Sequence, residues 1–403
     1  MSINKDSQKA PNLRFKGFTD DWEQRELIDV SKITMGQSPN GANYTQNPRD
    51  YILVQGNADM KNGEVVPRIW TTQVTKVANV NDIILGVRAP VGVVGITKYD
   101  VVIGRGVAGI KGNTFIYYDL VHKYYNNYWT KYSTGSTFDS INTDDIKNAS
   151  IHLPKFEEQT RIGSFLKNLD NTITLHQRKL DQLNQLKEAL LQQIFPGKGE
   201  TVPRLRFAGF EGDWEERKLS TIGNTFTGLS GKTKEDFGHG EAKYIPYTNI
   251  FNNPITDVAK LESIEIDNKQ NSVVHGDILF TTSSETPEEV GMSSVWMYEK
   301  ENVYLNSFCF GFRPIEKHYP LYLAYLLRSP YMRKKFTILA QGISRYNISK
   351  NKVLELTISL PSISEQTKIG DTLKHLDDII TLQQRKLDQL KNMKQVLLQN
   401  MFI

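Results

Sequence analysis

A chain of 403 residues with 39% apolar and 23% charged side chains has the make-up of a soluble globular protein, long enough for two to three domains. Its net charge of +4 excludes a uniformly basic coat that grips nucleic acid by counterion release alone, so any basic surface must be local. The single cysteine, Cys309, excludes an internal disulfide, no run of about 18 apolar residues offers a membrane span, and "MSINKDSQKAPN" lacks an apolar signal-peptide core, so a cytoplasmic chain without membrane contact is expected.

The chain opens on a head, "LRFKGFTDDWEQRELI" at 13–28. Short apolar runs bounded by Gly, Asn, Asp and Pro follow, among them "DYILVQGN", "DIILGVRAPVGVVGITKYDVVIGRG" and "SIHLP", and they read as strands. An aromatic-rich stretch, "DLVHKYYNNYWTKYS", has helical character, with Tyr124, Tyr125, Tyr128 and Trp129 expected in the core. From Pro154 to Pro196 no proline interrupts about 40 residues, enough for a rod of roughly 60 Å. "FPGKGETVP" then breaks the helix.

After that linker the order starts again. Pro11, Leu13, Arg14, Phe15, Gly17, Phe18, Asp21, Trp22, Glu23, Arg25 and Leu27 recur at an offset of 192, and the helix from Pro154 recurs from Pro361 at an offset of 207 with about 25 of 42 positions identical. The second lobe has its own strands, "AKYIPYTNI", "GDILFTT", "MSSVWMYE" and "LTISLP", and its own aromatic segment, "PLYLAYLLRSPYMRKKF". The lobes share only scraps such as "NDIIL" and "GDILF". The chain is therefore a duplicated module whose ends are kept while its middles diverge.

The repeated helices carry a heptad seam. Ile162, Leu166, Leu169, Ile173, Leu180, Leu183, Leu190 and Ile194 advance by threes, fours and sevens, as do Ile369, Leu373, Leu376, Ile380, Leu387, Leu390, Leu397 and Met401. His176 and Lys187 interrupt the first seam, Gln383 and Lys394 the second, and polar residues at such positions fix register. A helix this long needs a partner, and the other copy is the obvious one. The expected architecture is α+β: two globular lobes, each with a small curved sheet, and two long helices forming a coiled coil. The predicted boundaries are 1–150 for the first head and lobe, 151–196 for the first helix, 197–357 for linker, second head and second lobe, and 358–403 for the second helix.

Several strings resemble chemistry without supporting it. "GRGVAG" from Gly104 has dinucleotide-fingerprint spacing, but "IKGNTF" behind it puts turn residues where a helix is required. "GKT" at 231–233 has Phe226 where a phosphate loop needs glycine. The seven histidines show no ligand spacing, and neither a nucleophile elbow nor a methyltransferase or nuclease motif is present. No catalytic and no metal-ligating residue is predicted.

The two "LRF-GF---W" heads, the two "EQT-IG--L--LD--I" helix starts, and "GVRAPVG" with "IGRGVAGI" resemble the specificity subunits of bacterial type I restriction-modification systems over essentially the whole length. The resemblance implies two target-recognition domains separated by two antiparallel helices with pseudo-two-fold symmetry, in a non-catalytic subunit. It implies as partners double-stranded DNA, two methyltransferase subunits that bring S-adenosylmethionine, and motor-nuclease restriction subunits, with no cofactor on this chain. Repeated ends then offer equivalent docking surfaces to identical partners, and unlike lobes read two unlike half-sites across an unread spacer.

Candidate DNA-contacting residues follow from the chemistry of base and phosphate recognition. Glycine-centred segments before the long helices bring Thr134, Ser136 and Thr137 in one lobe and Ser344, Arg345 and Asn347 in the other, where a hydrogen-bonded turn closing the lobe is the alternative. Arg88 and Arg105 stand on loops after strands, where a structural ion pair is the alternative. Arg328, Arg333, Lys334 and Lys335 form a basic cluster suited to phosphates, or a solvated helix face. A stand-alone DNA-binding or regulatory protein with a bipartite site is the competing reading of the whole, and a protein-binding scaffold a third.

Overall fold

The computed structural model describes residues 9–132 and 139–403. The chain forms two compact units, Met1–Gln177 with Arg385–Ile403, and Arg178–Gln384. The long helices, Phe156–Gln193 and Ile363–Met401, each contribute to both.

In the first unit, strand Glu23–Glu26 pairs antiparallel with Ser150–Leu153, so "SIHLP" belongs with the head and not, as expected, with the lobe. The lobe holds two sheets where one was expected. One has six strands in the order Lys32–Met35, Val107–Lys111, Ile83–Gly86, Val94–Ile96, Glu64–Val65, Met60–Lys61. The other has five, in the order Tyr44–Thr45, Ile69–Thr71, Tyr51–Val54, Val101–Ile103, Val77–Ala78, with Val101–Ile103 parallel to Tyr51–Val54. Helix Thr114–Tyr125 covers the core, started by Asn113, whose side chain accepts from the Ile116 N–H. Trp129 is buried, but Tyr125 is exposed, which corrects its expected place in the core.

The second unit repeats the plan with fewer strands. Glu215–Lys218 pairs with Thr357–Leu360, again taking "LTISLP" out of the lobe. A four-stranded sheet runs Gly223–Thr227, Cys309–Pro314, Ile278–Thr281, Ser293–Val295, and a three-stranded one Glu262–Ile264, Phe237–Ile245, Val303–Leu305. The aromatic segment is two helices, Pro320–Leu326 and Pro330–Leu339, because Pro330 starts a new helix capped by Ser329.

The repeated letters now have physical reasons. Arg14 clamps Glu158 through two hydrogen bonds of 2.6 and 2.8 Å, and Arg206 clamps Glu365 at 2.8 and 2.9 Å. Both carboxylates also sit in the first turn of a long helix, where the helix dipole favours them. Gln159 donates to the Pro154 carbonyl and accepts from Asn113, while Gln366 donates to Pro361 and accepts from the Tyr319 N–H. Gly163 and Gly370 let the lobe helix approach: a Cβ would lie 2.9 Å from Thr114 Cβ in one unit and 2.9 Å from the Tyr322 nitrogen in the other.

Each head is also tied to the end of the other copy's helix. The Leu13 N–H donates to the Asn400 carbonyl, and the Leu205 N–H to the Gln193 carbonyl. Trp22 packs edge-on against Phe115 and Phe402, and Trp214 against Tyr322, which in turn meets Phe195. These contacts join the main core of each unit.

Within each unit the helix stretches run antiparallel. Asp170 pairs with Lys394 at 2.5 Å and Gln177 with Lys391, while Asp377 pairs with Lys187 at 2.6 Å. Leu166, Leu169, Leu180, Leu373, Leu376 and Leu387 are buried, and Ile173, Leu183, Ile380 and Leu390 half-buried, among exposed neighbours. His176, Lys187, Gln383 and Lys394 lie in the same seam, as polar register positions.

Candidate nucleic-acid interface

In the first lobe two loops meet at the ends of buried strands. The chain leaves Ile83–Gly86 through Val87, whose N–H donates to the Gly106 carbonyl and whose carbonyl accepts from the Ile141 N–H. Arg88 follows, exposed, in an antiparallel bridge with Ser140. Asn57 donates to the carbonyls of Arg88 and Pro90 and pins this loop. The second loop, Gly104–Gly106, joins Val101–Ile103 to Val107–Lys111, and the Arg105 N–H donates to Ser38 Oγ. Glycine is required at Gly106 because a Cβ would come within 2.0 Å of the Gln55 carbonyl oxygen. "GRGVAG" is thus a crossing of loops leading into a strand, not a phosphate cradle.

The side chains of Arg88 and Arg105 make no ion pair or hydrogen bond among the described residues. Two exposed arginines therefore stand on adjacent loops, without an ion pair among the described residues. Thr134, Ser136 and Thr137 lie outside the described residues.

The second lobe builds the same junction from different side chains. The Thr282 N–H donates to the Phe308 carbonyl, the Ile348 N–H donates to the Thr282 carbonyl, and Ser283 pairs antiparallel with Asn347. Ser283 thereby occupies the place of Arg88, and Ser307, between Leu305 and Cys309, the place of Arg105. A hairpin closed by reciprocal Gln341 and Asn347 backbone bonds carries Ser344 and Arg345 at its tip, with Gly342 at φ +141°. Arg345 is exposed and reaches back to donate to Ser283 Oγ at 3.3 Å. A cleft beside it is lined by Tyr247, Thr248, Phe251, Asn252 and Glu285, with the Tyr247 and Phe251 rings stacked at 5.8 Å.

The expected basic cluster is divided. Arg328 donates to the carbonyls of Ser293, Ile250, Phe251 and Asn253, and burial, with Arg333 adding repulsion, pulls its guanidinium down to about 10. Arg333 donates to the carbonyls of Gly291, Glu288 and Val290, and burial draws it down to about 10 as well. These two corrections have one cause: buried carbonyls need donors, and a planar five-donor group supplies them. Lys335 donates to the Thr357 carbonyl and rides over Tyr331. Lys334 alone of the four is exposed and unpaired among the described residues.

Sequence reasoning missed Ser283, Ser307 and the Tyr247–Phe251 cleft. The signal was present for the first: extending the "NDIIL" and "GDILF" match six residues from its aspartates places Arg88 opposite Ser283. Among the described residues no group of three His, Cys, Asp or Glu is placed to hold a metal, and no helix is long and apolar enough to cross a membrane.

Relatives share this plan. The chain is 23% identical over 396 residues to the type I restriction enzyme MjaVIII specificity subunit of Methanocaldococcus jannaschii, covering 93% of this chain and 90% of that one. It is 34% identical over 189 residues to the putative MjaX specificity subunit of the same organism, a match that spans 44% of each. The crystal structure of a type I restriction-modification S subunit from M. genitalium has the same fold, with a TM-score of 0.60 at 16% identity over 98% of this chain and 99% of that one. A further structure, titled for complex assembly and conformational transition of the type I system, gives 0.56 at 18% identity over 95% and 98%. The family described as type I restriction modification DNA specificity domain matches residues 19–185 and again 211–392, and the chain belongs to that family, carrying its domain twice.

Proposed function

We propose that this chain is the sequence-reading subunit of a type I restriction-modification complex and recognises an asymmetric bipartite DNA target, one half-site per lobe. The observation that carries the reading is the contrast between frame and loops. The frame repeats down to its ion pairs, Arg14 with Glu158 and Arg206 with Glu365, whereas the junctions differ, with the exposed Arg88 and Arg105 opposite a buried Ser283 and an exposed Ser307. Equal frames suit identical partners, and unequal junctions suit unequal base sequences.

Those partners are two methyltransferase subunits, which bring S-adenosylmethionine, and restriction subunits; this chain holds no cofactor and performs no chemistry. Exposed apolar side chains at equivalent places on the helices support docking of identical partners: Leu175 is 65% exposed and Leu382 68%, and Leu186 and Met393 are also exposed. The helices set the distance between half-sites. The target base is methylated by flipping into the partner's pocket.

The test is to assay the purified chain with S-adenosylmethionine and DNA, with and without its methyltransferase partner. Methylation at a bipartite site is expected only with the partner. Turnover by the chain alone, or sequence-specific binding unaffected by the partner, would favour a different protein, the second outcome pointing to the stand-alone regulator.

A further inference from the structure

Resting on that reading, we infer that each lobe reads guanine from one shared junction, with two guanidinium groups in the first lobe, Arg88 and Arg105, and one in the second, Arg345. The first half-site therefore contains at least two G·C pairs read by arginine, and the second is read by a single arginine.

The equivalence of the junctions is topological. In both lobes the residue before the first reading position donates its N–H to the turn that carries the second, Val87 to Gly106 and Thr282 to Phe308. In both, its carbonyl accepts from the chain leading to the long helix, from Ile141 and from Ile348. The reading position itself bridges that same chain, Arg88 with Ser140 and Ser283 with Asn347. Three matching links fix one junction in two different lobes.

What stands on the junction differs in a way that chemistry can interpret. In the first lobe both side chains are arginines, exposed and unpaired among the described residues, so their donors are available to an acceptor outside the protein. Guanine offers two acceptors, N7 and O6, on its major-groove edge, a match for a guanidinium fork. In the second lobe both positions are serines, and the hairpin tip bends Arg345 back onto Ser283 Oγ. One guanidinium thus reaches the place of Arg88 from another segment, while an exposed serine, Ser307, stands in the place of Arg105. Arg328 and Arg333, the other arginines of that segment, are consumed by carbonyls and take no part.

The experiment expresses the full chain with its methyltransferase partner in a host lacking other adenine methylation and sequences the methylated genome. The wild-type motif should have one half-site with at least two G·C pairs that lose their preference on Arg88→Ala and Arg105→Ala, each at its own position, by roughly 5- to 150-fold. Arg345→Ala should relax one G·C pair of the other half-site and leave the first intact. Arg88→Lys should keep part of the preference, since an ammonium still donates to O6 or N7. A uniform fall across all sequences makes these arginines phosphate contacts and overturns the inference, as does a motif in which Arg88→Ala and Arg345→Ala alter the same half-site. If the wild-type complex methylates no bipartite motif, the functional reading itself fails, and this inference with it.

Discussion

Removing the guanidinium of Arg328 would leave the carbonyls of Ile250, Phe251, Asn253 and Ser293 without their donor inside the second lobe. Arg328→Met is therefore expected to lower stability by about 2–4 kcal/mol, read from urea unfolding of the full chain; a change within experimental error would show that water replaces the donor at no cost. Lys334→Ala should leave stability alone and weaken DNA binding by the complex on every sequence, with a shallower salt dependence, the outcome expected of an exposed ammonium that pairs with a backbone phosphate. A loss confined to particular sequences would make Lys334 a reader instead. At this scale the sequence was a poor guide for a definite reason. Arg328, Arg333 and Lys334 sit in one short string and look alike, and what separates them is carbonyls supplied from residues 250–253 and 288–293, which no local pattern reveals. Arg88 and Arg105 were legible as exposed loop arginines because glycine and proline around them mark turns.

Among the elements, the repeat of the long helices was legible because a 3.5-residue period is a local property and both copies print it, although near the end of the second helix Leu398 is buried and the expected Leu397 only half-buried. The lobe sheets were not: Val101–Ile103 lies parallel to Tyr51–Val54 across some fifty residues, and short apolar runs say nothing of their partners. Nor does the sequence tell that Arg14 belongs to Glu158, although both recur. The way helices and lobes are joined is likewise visible only in three dimensions. Tyr118 donates to Asp170 at 2.8 Å while Lys394 of the other copy's helix pairs with the same carboxylate, and Tyr325, Asp377 and Lys187 repeat the node. Burial and the neighbouring carboxylate push the Tyr118 and Tyr325 hydroxyls far above the ordinary tyrosine range, so both remain protonated donors. A double-mutant cycle on Asp170→Ala and Lys394→Ala should give a coupling of about 1 kcal/mol in unfolding free energy, whereas Asp170→Ala with Lys187→Ala should be additive. Equal coupling in both cycles would contradict the exchanged pairing.

For the whole molecule, the two exchanged ion pairs make the proposed spacing role testable. Asp170 and Lys187 on the first helix, and Asp377 and Lys394 on the second, enclose equal lengths of helix. Inserting one heptad after Leu183 and another after Leu390 lengthens both stretches equally, so each unit keeps its own pair, its seam and its tie between head and helix end. Each rod grows by about 10 Å. At 3.4 Å per base pair, the preferred spacer between half-sites should grow by about three base pairs. Three base pairs also turn the second half-site by nearly a third of a helical turn, so some affinity should be lost even at the best spacer unless DNA twist or the linkers absorb it. A heptad in one helix alone is a sharper control. It cannot keep Lys187 on Asp377 and Lys394 on Asp170 together, because one enclosed stretch would be longer than the other. Such a variant should lose stability and activity without selecting a new spacer. Two inserted residues should do worse, since they also rotate the seam away from its partner. Methylating a library with fixed half-sites and a varied spacer, then sequencing the modified members, reads all three variants at once. A folded, active double-heptad variant that still prefers the original spacer would show that the helices hold the lobes but do not set the distance.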